Sequence, residues 1–585
     1  MNEGDERRAD VSKNDHHTPW KRLEEFWDRI QVGRQGSYSV ERLELLNHYC
    51  KTTSKTRVFL VCVLTPLPVL ITAVLLECFP LRSPSEGWAA NWMFWIRLSV
   101  MVFILSVAGF SQMNDFIPGY NLPISKMVVA ALGICIIQSG TYLLEGVVFG
   151  FPVPFMWQLG AITMAVYAPT VTRLVFGAGL FAKGSLLWLH HERFQRSFFV
   201  HLALTGIYPF YKALYDIIPQ TYRGTVLFAL PIWKFAAKRF VVHATRDLED
   251  FIPEIVAFSV DFFSALFLSV CMSTSSSIYL TGLFIMTDVG QSFLEFREIR
   301  NNAATLSLVL RHLRSKSDGP GNKEHDLLKI ILDVSRNPSA FQVASLDGAR
   351  LWSNPRNVLP EPLDNRMQAL GASGIYGSKG HPSNREASVA STASYRKCPA
   401  WWDYQRISVV PSPVQPDTNA KGKIIGLSKA QSSSKYLGQG KRSKELVLQG
   451  LQLLFHCEYL ALVEYIECVV PLIFVIYKSV LEQLPNIIFY PGGGGNWSMT
   501  AVVNLLVFAI LEIGSLALLH AFLQHKLAFP PFYQLAFVLE AQFYPVQANL
   551  FLETIFLLQY QLEHLGKDRK YSRLFEVTEV LRSTY

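Results

Sequence analysis

Acidic residues inside long apolar stretches are the groups in this sequence whose type and position could do chemistry. Burying a charge in hydrocarbon is energetically costly, so such residues often mark the pathway of an ion or a substrate. Five carboxylates lie near the middle of apolar stretches: Asp261, Asp288, Glu464, Glu467 and Glu512. Glu464 and Glu467 are three residues apart and therefore share one face of a helix. In the clearest stretches we expect no Lys or Arg at the same depth.

Carboxylates without cationic partners must be neutralised in another way: by a proton, a hydrogen bond, water or a bound cation. Two interpretations are open. The five groups form a proton- or cation-handling site where two groups of helices meet, or they are neutral groups that hydrogen-bond between helices. Other charged residues lie within about two helical turns of a stretch end, where their side chains can reach the interface. These are Glu77, Arg97, Glu145, Arg173 and His520.

The apolar stretches predict an all-α polytopic membrane protein. Their lengths match the ~20 residues that a helix needs to cross ~30 Å of hydrocarbon. Of the 585 residues, 17% are charged, whereas soluble proteins average about 25%. The predicted spans are residues 58–79, 92–112, 124–148, 154–176, 198–218, 225–236, 252–272, 277–294, 456–480 and 499–524. The count is about ten, within a range of about eight to eleven, because prolines interrupt 198–236 and the apolar stretch 532–565 is an alternative eleventh span.

Composition divides the chain into five regions, with the spans in two blocks. The regions are a cytosolic N-terminal part with two amphipathic helices (1–57), a first membrane block of about eight spans (58–296), a basic and largely disordered cytosolic loop (297–448), a second membrane block of two spans (449–527) and a C-terminal interfacial helix region (528–585). Ser39 is expected to cap the second amphipathic helix. From about 371 to 440 the loop is too polar to bury a core, which predicts disorder.

Loop charges predict the orientation. Lys51, Lys55 and Arg57 precede the first span and place the N-terminus in the cytosol, and an even number of spans places the C-terminus there too. The lipid bilayer is the predicted partner, together with anionic cytoplasmic lipids at the basic 297–448 loop. No nucleic-acid motif accompanies these charges, and nothing sets an oligomeric state. Asn496-Trp-Ser498 is an N-glycosylation sequon in an outer loop, although its closeness to the next span disfavours modification.

Motifs of soluble enzymes are missing from the sequence. It contains no phosphate-binding loop, no His-Glu-x-x-His zinc motif and no Gly-x-Ser-x-Gly nucleophile turn. No cofactor or metal site is therefore expected, and a membrane-embedded lipid or polysaccharide enzyme is the least favoured function. A transporter or channel for a small solute or cation, using the buried carboxylates, is favoured. The alternative is a receptor or scaffold that recruits partners through the 297–448 loop.

Several short strings resemble a known family. They are Gly36-Ser-Tyr-Ser-Val-Glu-Arg42, Tyr49-Cys-Lys-Thr-Thr-Ser54, Thr65-Pro-Leu-Pro68, Phe455-His-Cys-Glu-Tyr-Leu460 and Val463-Glu-Tyr-Ile-Glu-Cys-Val469. On these strings the chain resembles a large family of uncharacterised polytopic membrane proteins of oomycetes. The resemblance covers both membrane blocks and lapses through the loop. It implies a shared multi-pass architecture and brings no activity, cofactor or catalytic residue.

Overall fold

Helices make up all the regular structure in the described part of the chain, which contains no strand. The computed structural model describes residues 31–117, 122–177, 179, 182, 185–218, 223–274, 278–314, 327–353, 359–376, 429–491, 493–495, 497–559 and 561–565. The predicted all-α class is thus confirmed. The first predicted N-terminal helix, Asn496 and most of the 371–440 stretch lie outside the described residues.

Seventeen α-helices lie in the described residues. In chain order they are α1 Val40–Thr52, α2 Lys55–Leu64, α3 Leu67–Glu77, α4 Trp92–Phe116, α5 Ile124–Phe149, α6 Met156–Phe176, α7 Leu186–Ile217, α8 Arg223–Ala244, α9 Ile252–Val256, α10 Phe262–Thr274, α11 Ile278–Arg314, α12 Leu327–Arg336, α13 Glu361–Ala372, α14 Lys429–Leu481, α15 Met499–Leu527, α16 Pro531–Ala541 and α17 Phe543–Gln559. A π-helical turn, Ala257–Asp261, joins α9 to α10. Such turns are rare and are often found at functional sites.

Seven helical segments of the described residues are long and apolar enough to cross a membrane. They are Lys55–Glu77, Trp92–Phe116, Ile124–Phe149, Met156–Phe176, Arg246–Ser273, Gly440–Leu481 and Met499–Leu527. The predicted spans 198–218, 225–236 and 277–294 lie in α7, α8 and α11. Those three helices carry charged residues and are not among the seven.

The bundle has inner and outer helices. The apolar part of Arg246–Ser273 is entirely buried, and that of Gly440–Leu481 is almost so. The outer helices instead expose large apolar side chains, such as Val166 and Leu174 on α6, which are 75% and 79% exposed. Contiguous exposed apolar surface of this kind fits a lipid environment. The helices are those of a membrane protein wrapped around an inner pair.

Serine caps fix the starts of several helices. The hydroxyls of Ser39, Ser54, Ser185 and Ser498 each accept a hydrogen bond from the backbone N–H three residues later. Such caps satisfy donors that the first helical turn leaves unpaired. Ser39 and Ser54 therefore start α1 and α2 as separate helices, with the extended backbone of Thr53 and Ser54 between them.

Part of the predicted cytosolic loop is folded. Helix α12 packs against α1 and α14 and buries apolar side chains. Residues 359–376 join this unit through hydrogen bonds from Tyr376 to the carbonyl of Ser335 and from the N–H of Leu346 to the carbonyl of Ile375, each at 2.7 Å. Two 2.6 Å hydrogen bonds join the Arg336 guanidinium to the Glu44 carboxylate, and these bonds raise the pKa of Arg336. The backbone N–H of Val40 donates to the carbonyl of Arg350 at 2.9 Å. The start of α1 and the loop thus form one unit.

The C-terminal helices α16 and α17 pack inside the bundle rather than along its surface. Leu535, Val538, Leu550 and Ile555 are at most 1% exposed. Helix α16 contacts α1, α2 and α14, whereas α17 contacts α3, α4 and the π-helical turn. The apolar stretch 532–565 is therefore part of the core.

Candidate functional site

The five predicted carboxylates come together in the middle of the bundle, where we call them the carboxylate cluster. They arrive on four elements: Asp261 on the π-helical turn, Asp288 on α11, Glu464 and Glu467 on α14, and Glu512 on α15. Each residue is less than a tenth exposed. Positions scattered over 250 residues of sequence thus form one buried acidic group.

Lys234 on α8 joins two members of the cluster. Its Nζ lies 3.0 Å from Asp261 Oδ1 and 3.0 Å from Glu467 Oε1. The side chain is only 6% exposed, so this is a buried ion-pair network rather than a surface contact. The expectation of no lysine at this depth covered only the clearest apolar stretches, and Lys234 comes from the less certain 225–236 stretch.

Lys238, one helical turn further along α8, supplies a second buried cation. Its Nζ lies 2.9 Å from Asp261 Oδ1 and 3.7 Å from Glu295 Oε1. It also donates a 2.5 Å hydrogen bond to the hydroxyl of Tyr459. Asp261 is thus paired with two lysines, and the π-helical turn that carries it is held against α8.

Three carboxylates converge on one small volume, and we call them the acidic triad: Asp288, Glu467 and Glu512. One oxygen of each lies within 4.8 Å of those of the other two. The carboxyl groups of Asp288 and Glu512 are hydrogen-bonding neighbours. Within the described residues, Asp288 Oδ2 and Glu512 Oε2 have no hydrogen-bond partner. The triad therefore contains buried acceptors that nothing in this part of the protein satisfies.

Glu464 borders the triad from the same face of α14 as Glu467, about one helical turn away. Its carboxyl group neighbours the Ser515 hydroxyl and lies in the electrostatic field of Asp288. Its second oxygen, Oε2, has no hydrogen-bond partner among the described residues. Cys468 is buried beside it.

The charges of this site do not balance. Lys234 and Lys238 compensate Asp261 and Glu467, whereas Asp288, Glu464 and Glu512 form no ion pair with a described basic residue. An uncompensated buried charge is strongly unfavourable, so these three groups must hold protons or a bound cation. The arrangement can therefore take up and release positive charge.

A second buried ion pair lies toward one end of the bundle. Arg97 donates to both oxygens of Glu77, at 3.0 and 2.6 Å, and both side chains are 1% exposed. The hydroxyls of Tyr477 and Tyr490 donate to Glu77 Oε1 at 2.7 and 2.8 Å. We call these four residues the Glu77–Arg97 group. The expectation that Glu77 and Arg97 reach the interface is wrong, because they neutralise each other inside the protein.

A third buried ion pair closes the opposite end. Arg42 on α1 donates to Glu458 Oε1 on α14 at 2.8 Å, and the Tyr38 hydroxyl donates to the other oxygen of Glu458. Gln534 on α16 donates to Tyr38 at 3.2 Å. Burial, followed by the charge of Glu458, raises the pKa of Tyr38 and keeps its phenol protonated. These residues form the Arg42–Glu458 group.

The carboxylate cluster lies between these two groups. Along α14, Glu467 follows Glu458 by nine residues and precedes Tyr477 by ten. At a rise of about 1.5 Å per residue, it is roughly 13 to 15 Å from each. The cluster is therefore near the middle of the bundle. The Glu77–Arg97 group holds the helices together at one end, and the Arg42–Glu458 group does so at the other.

Sequence reasoning missed the two lysines and a further polar group. His201 and Thr205 on α7 hydrogen-bond to Glu553 on α17, both at 2.6 Å. A signal for the lysines was present, because Lys234 and Lys238 are four residues apart and so share one face of a largely apolar helix. The pairing of α7 with α17 has no comparable local signal.

Comparisons with known proteins bring no relative. No protein-family model matches the chain, and neither does a curated protein or a solved structure. Membership of the oomycete family therefore stays a prediction. Conclusions about the site rest on its geometry and charge.

Proposed function

We propose that this protein is a membrane transporter that moves a small cation, a proton or a metal ion, through the carboxylate cluster. The observation that carries the proposal is that Asp288, Glu464 and Glu512 are buried and form no ion pair with a described basic residue. A fold that needed only stability would gain from apolar side chains at these positions. Intramembrane carboxylates in excess are expected where an exchangeable cation compensates them.

Contacts at the two ends of the bundle support eleven crossings, namely the seven apolar segments, α7, α8, α11 and the α16–α17 pair. At one end Arg57 pairs with Glu540 at 3.0 Å. At the other, Asn486 donates to the carbonyl of Glu77 at 2.8 Å, and His564 bonds to the carbonyl of Arg82 at 2.7 Å. The α2–α3 and α16–α17 segments thus run in the same direction.

An odd number of crossings separates the two termini. With the N-terminal end in the cytosol, His564 lies on the outer side with the loop that contains Arg82. In this proposal the stretch 532–565 is the eleventh span. The C-terminus therefore lies on the outer side and not, as an even number of spans would give, in the cytosol. It also puts α1, α12 and α13 together on the cytosolic side.

Transport through the cluster requires the two closed ends to open in turn. The contacts that must separate are the Glu77–Arg97 group on the outer side and the Arg42–Glu458 group on the cytosolic side. Each holds α14 to other elements: α3 and α4 in the first case, α1 and α16 in the second. Packed helices of this kind switch between discrete arrangements.

The scaffold hypothesis stays a prediction. Its recruiting element is the polar part of the loop between about 371 and 440, most of which lies outside the described residues. No contact in the described part of the loop favours it over transport.

Cation uptake into proteoliposomes tests the proposal. Purified full-length protein is reconstituted and assayed with protons, Na⁺, K⁺, Mg²⁺, Ca²⁺ and Mn²⁺ in separate experiments. We expect uptake of at least one cation, reduced about tenfold or more by Glu512→Gln or Asp288→Asn, because each removes a compensating charge from the pathway. The matched control is Glu553→Gln, an equally buried carboxylate outside the cluster. Equal uptake by folded Glu512→Gln protein, or no uptake of any cation by the wild type, contradicts the proposal.

A further inference from the structure

We infer that the acidic triad binds a divalent metal cation of the kind that prefers oxygen ligands, such as Mg²⁺, Mn²⁺ or Ca²⁺. This inference rests on the proposed cation transport and names the class of ion. Asp288, Glu467 and Glu512 come from three different helices, α11, α14 and α15, which pack against one another. Carboxylates are the protein ligands that these hard cations prefer.

The spacing of the triad suits such an ion. Three oxygens lie within 4.8 Å of one another. Oxygens bound to one Mg²⁺ or Ca²⁺ at about 2.1 to 2.5 Å are separated by roughly 3 to 5 Å, depending on the angle between them. The ligands can therefore close on an ion by small side-chain movements, without displacement of the helices.

Unsatisfied oxygens are the second observation that points to a ligand. Within the described residues, Asp288 Oδ2, Glu512 Oε2 and the neighbouring Glu464 Oε2 have no hydrogen-bond partner. All three side chains are more than nine-tenths buried. Buried polar atoms in proteins are almost always satisfied, so a set of orphaned acceptors in one place indicates a missing positive partner.

Charge favours a divalent over a monovalent ion. Glu467 is already paired with Lys234, which leaves Asp288 and Glu512 as two uncompensated members of the triad. One divalent cation neutralises both carboxylates, whereas a monovalent ion leaves one of them buried and charged. Glu464 adds a further carboxylate in the electrostatic surroundings of the triad.

Lys234 and the bound metal ion compete for the carboxylate of Glu467. Its ammonium group holds Glu467 and Asp261 at equal distances of 3.0 Å. When an ion takes Glu467, the lysine keeps Asp261 and is not left unpaired. Loading and release of the metal can therefore proceed by a short movement of one flexible side chain.

Binding of Mn²⁺ to the purified full-length protein tests the inference. We expect saturable binding in an electron paramagnetic resonance titration, with Mg²⁺ or Ca²⁺ as competitor. Asp288→Asn and Glu512→Gln should each weaken Mn²⁺ binding about tenfold or more, because losing even an outer-sphere contact commonly costs that much. Glu553→Gln should bind Mn²⁺ like the wild type. Absence of saturable binding to the wild type, or unchanged binding by both triad variants, overturns the inference.

Lys234→Gln keeps the inference testable if the triad variants fail to fold. Without metal, this variant leaves Glu467 unpaired and should lower the melting temperature. With Mn²⁺, its melting temperature should rise by more than that of the wild type, because the competitor for Glu467 is gone. An equal or smaller rise contradicts the role of Lys234 and the site together.

The experiments distinguish a failure of the metal site from a failure of the proposed cation transport. If Mn²⁺ does not bind but Glu512→Gln still abolishes uptake of another cation, the metal site is wrong and cation transport stands. If Mn²⁺ binds to the triad and no cation is taken up, the metal site stands and transport is wrong.

Discussion

The pairing of Glu77 with Arg97 shows how a buried charge is tolerated in this protein. Glu77 receives hydrogen bonds from Arg97, Tyr477 and Tyr490, so its negative charge is both paired with a guanidinium and hydrogen-bonded. Removing one member of such a pair leaves the other buried and unpaired, which typically costs about 3–5 kcal/mol. Removing both charges costs far less, because no unpaired charge is left behind.

We therefore expect Arg97→Met alone to destabilise the protein by about 3 kcal/mol or more. The double variant Glu77→Gln with Arg97→Met should recover a large part of this loss. Thermal unfolding of detergent-solubilised protein measures both effects. A single variant as stable as the wild type would show that the pair is not buried in the folded protein.

His564 is a single residue whose charge state matters for stability. Its Nε2 donates to the backbone carbonyl of Arg82 at 2.7 Å, and its ring lies against Phe94 and Phe489. Burial lowers the pKa of His564 from 6.5 to about 4, with a smaller contribution from the nearby positive charge of Arg97. The imidazole is therefore neutral in the folded protein at physiological pH.

The sign of the pH effect follows from this depressed pKa. Above about pH 6.5 the histidine is neutral in both states, and its contribution to stability is fully present. Between about pH 6.5 and 4 the unfolded chain takes up the proton first, so stability is lost as the pH falls, by up to about 1.4 kcal/mol per pH unit. We expect the melting temperature of the wild type to fall more over this range than that of His564→Gln. Parallel pH profiles for the two proteins would refute this assignment.

At the scale of elements, the docking of α12 on α14 depends on a glycine. Gly450 faces Ile331, and a Cβ at this position would collide with the Ile331 side chain. We expect Gly450→Leu to displace α12 and to speed amide hydrogen exchange in Leu327–Arg336 about tenfold or more, because local opening exposes its hydrogen bonds. Gly514→Leu is the matched control, since nothing lies within 4 Å of its Cβ position. Unchanged exchange in the Gly450 variant would mean that α12 does not pack there.

Local patterns account for the elements that the sequence predicted well. Ser39 caps α1, and Val40, Leu43, Leu46 and Tyr49 are buried along one face, as their helical spacing indicates. Long apolar stretches likewise predicted most of the helices of the bundle, because their length and composition are local properties. The position of the five carboxylates near the middle of their apolar stretches was enough to select the residues that meet in the cluster.

The features that the sequence could not predict depend on tertiary contacts. Lys234 lies in the uncertain predicted span 225–236 and Lys238 follows its end, and nothing local to either lysine indicates the carboxylates on other helices with which they pair. The charged and proline residues of 532–565 left an interfacial helix, a protein-docked helix and an eleventh span open. The partners of Glu540 and Glu553, which are Arg57 and His201 inside the bundle, could not be predicted from that stretch alone. The sequence around a buried polar residue looks the same as that around an interfacial one. Only the residue that contacts it in the folded protein distinguishes the two cases.

At the scale of the whole molecule, the proposed eleven crossings predict termini on opposite sides of the membrane. An epitope tag at the N-terminus should be reached by antibody only after the cells are permeabilised. A tag at the C-terminus should be reached in intact cells if the protein is in the plasma membrane, or be protected inside sealed microsomes if it is in an internal membrane. The same accessibility for both tags would contradict the eleventh crossing.

In the proposed transporter the carboxylate cluster lies on a pathway through the membrane rather than in a permanently dry core. Cys468 is buried beside Glu464 and Glu467 and can report on this directly. The measurement is its reaction with a small, charged, membrane-impermeant thiol reagent, in sealed proteoliposomes of protein whose other seven cysteines are replaced by alanine. We predict slow modification from each side of the membrane, because each end of the bundle must open in turn. A Cys468 that reacts from neither side, yet reacts fully after denaturation, would contradict the account.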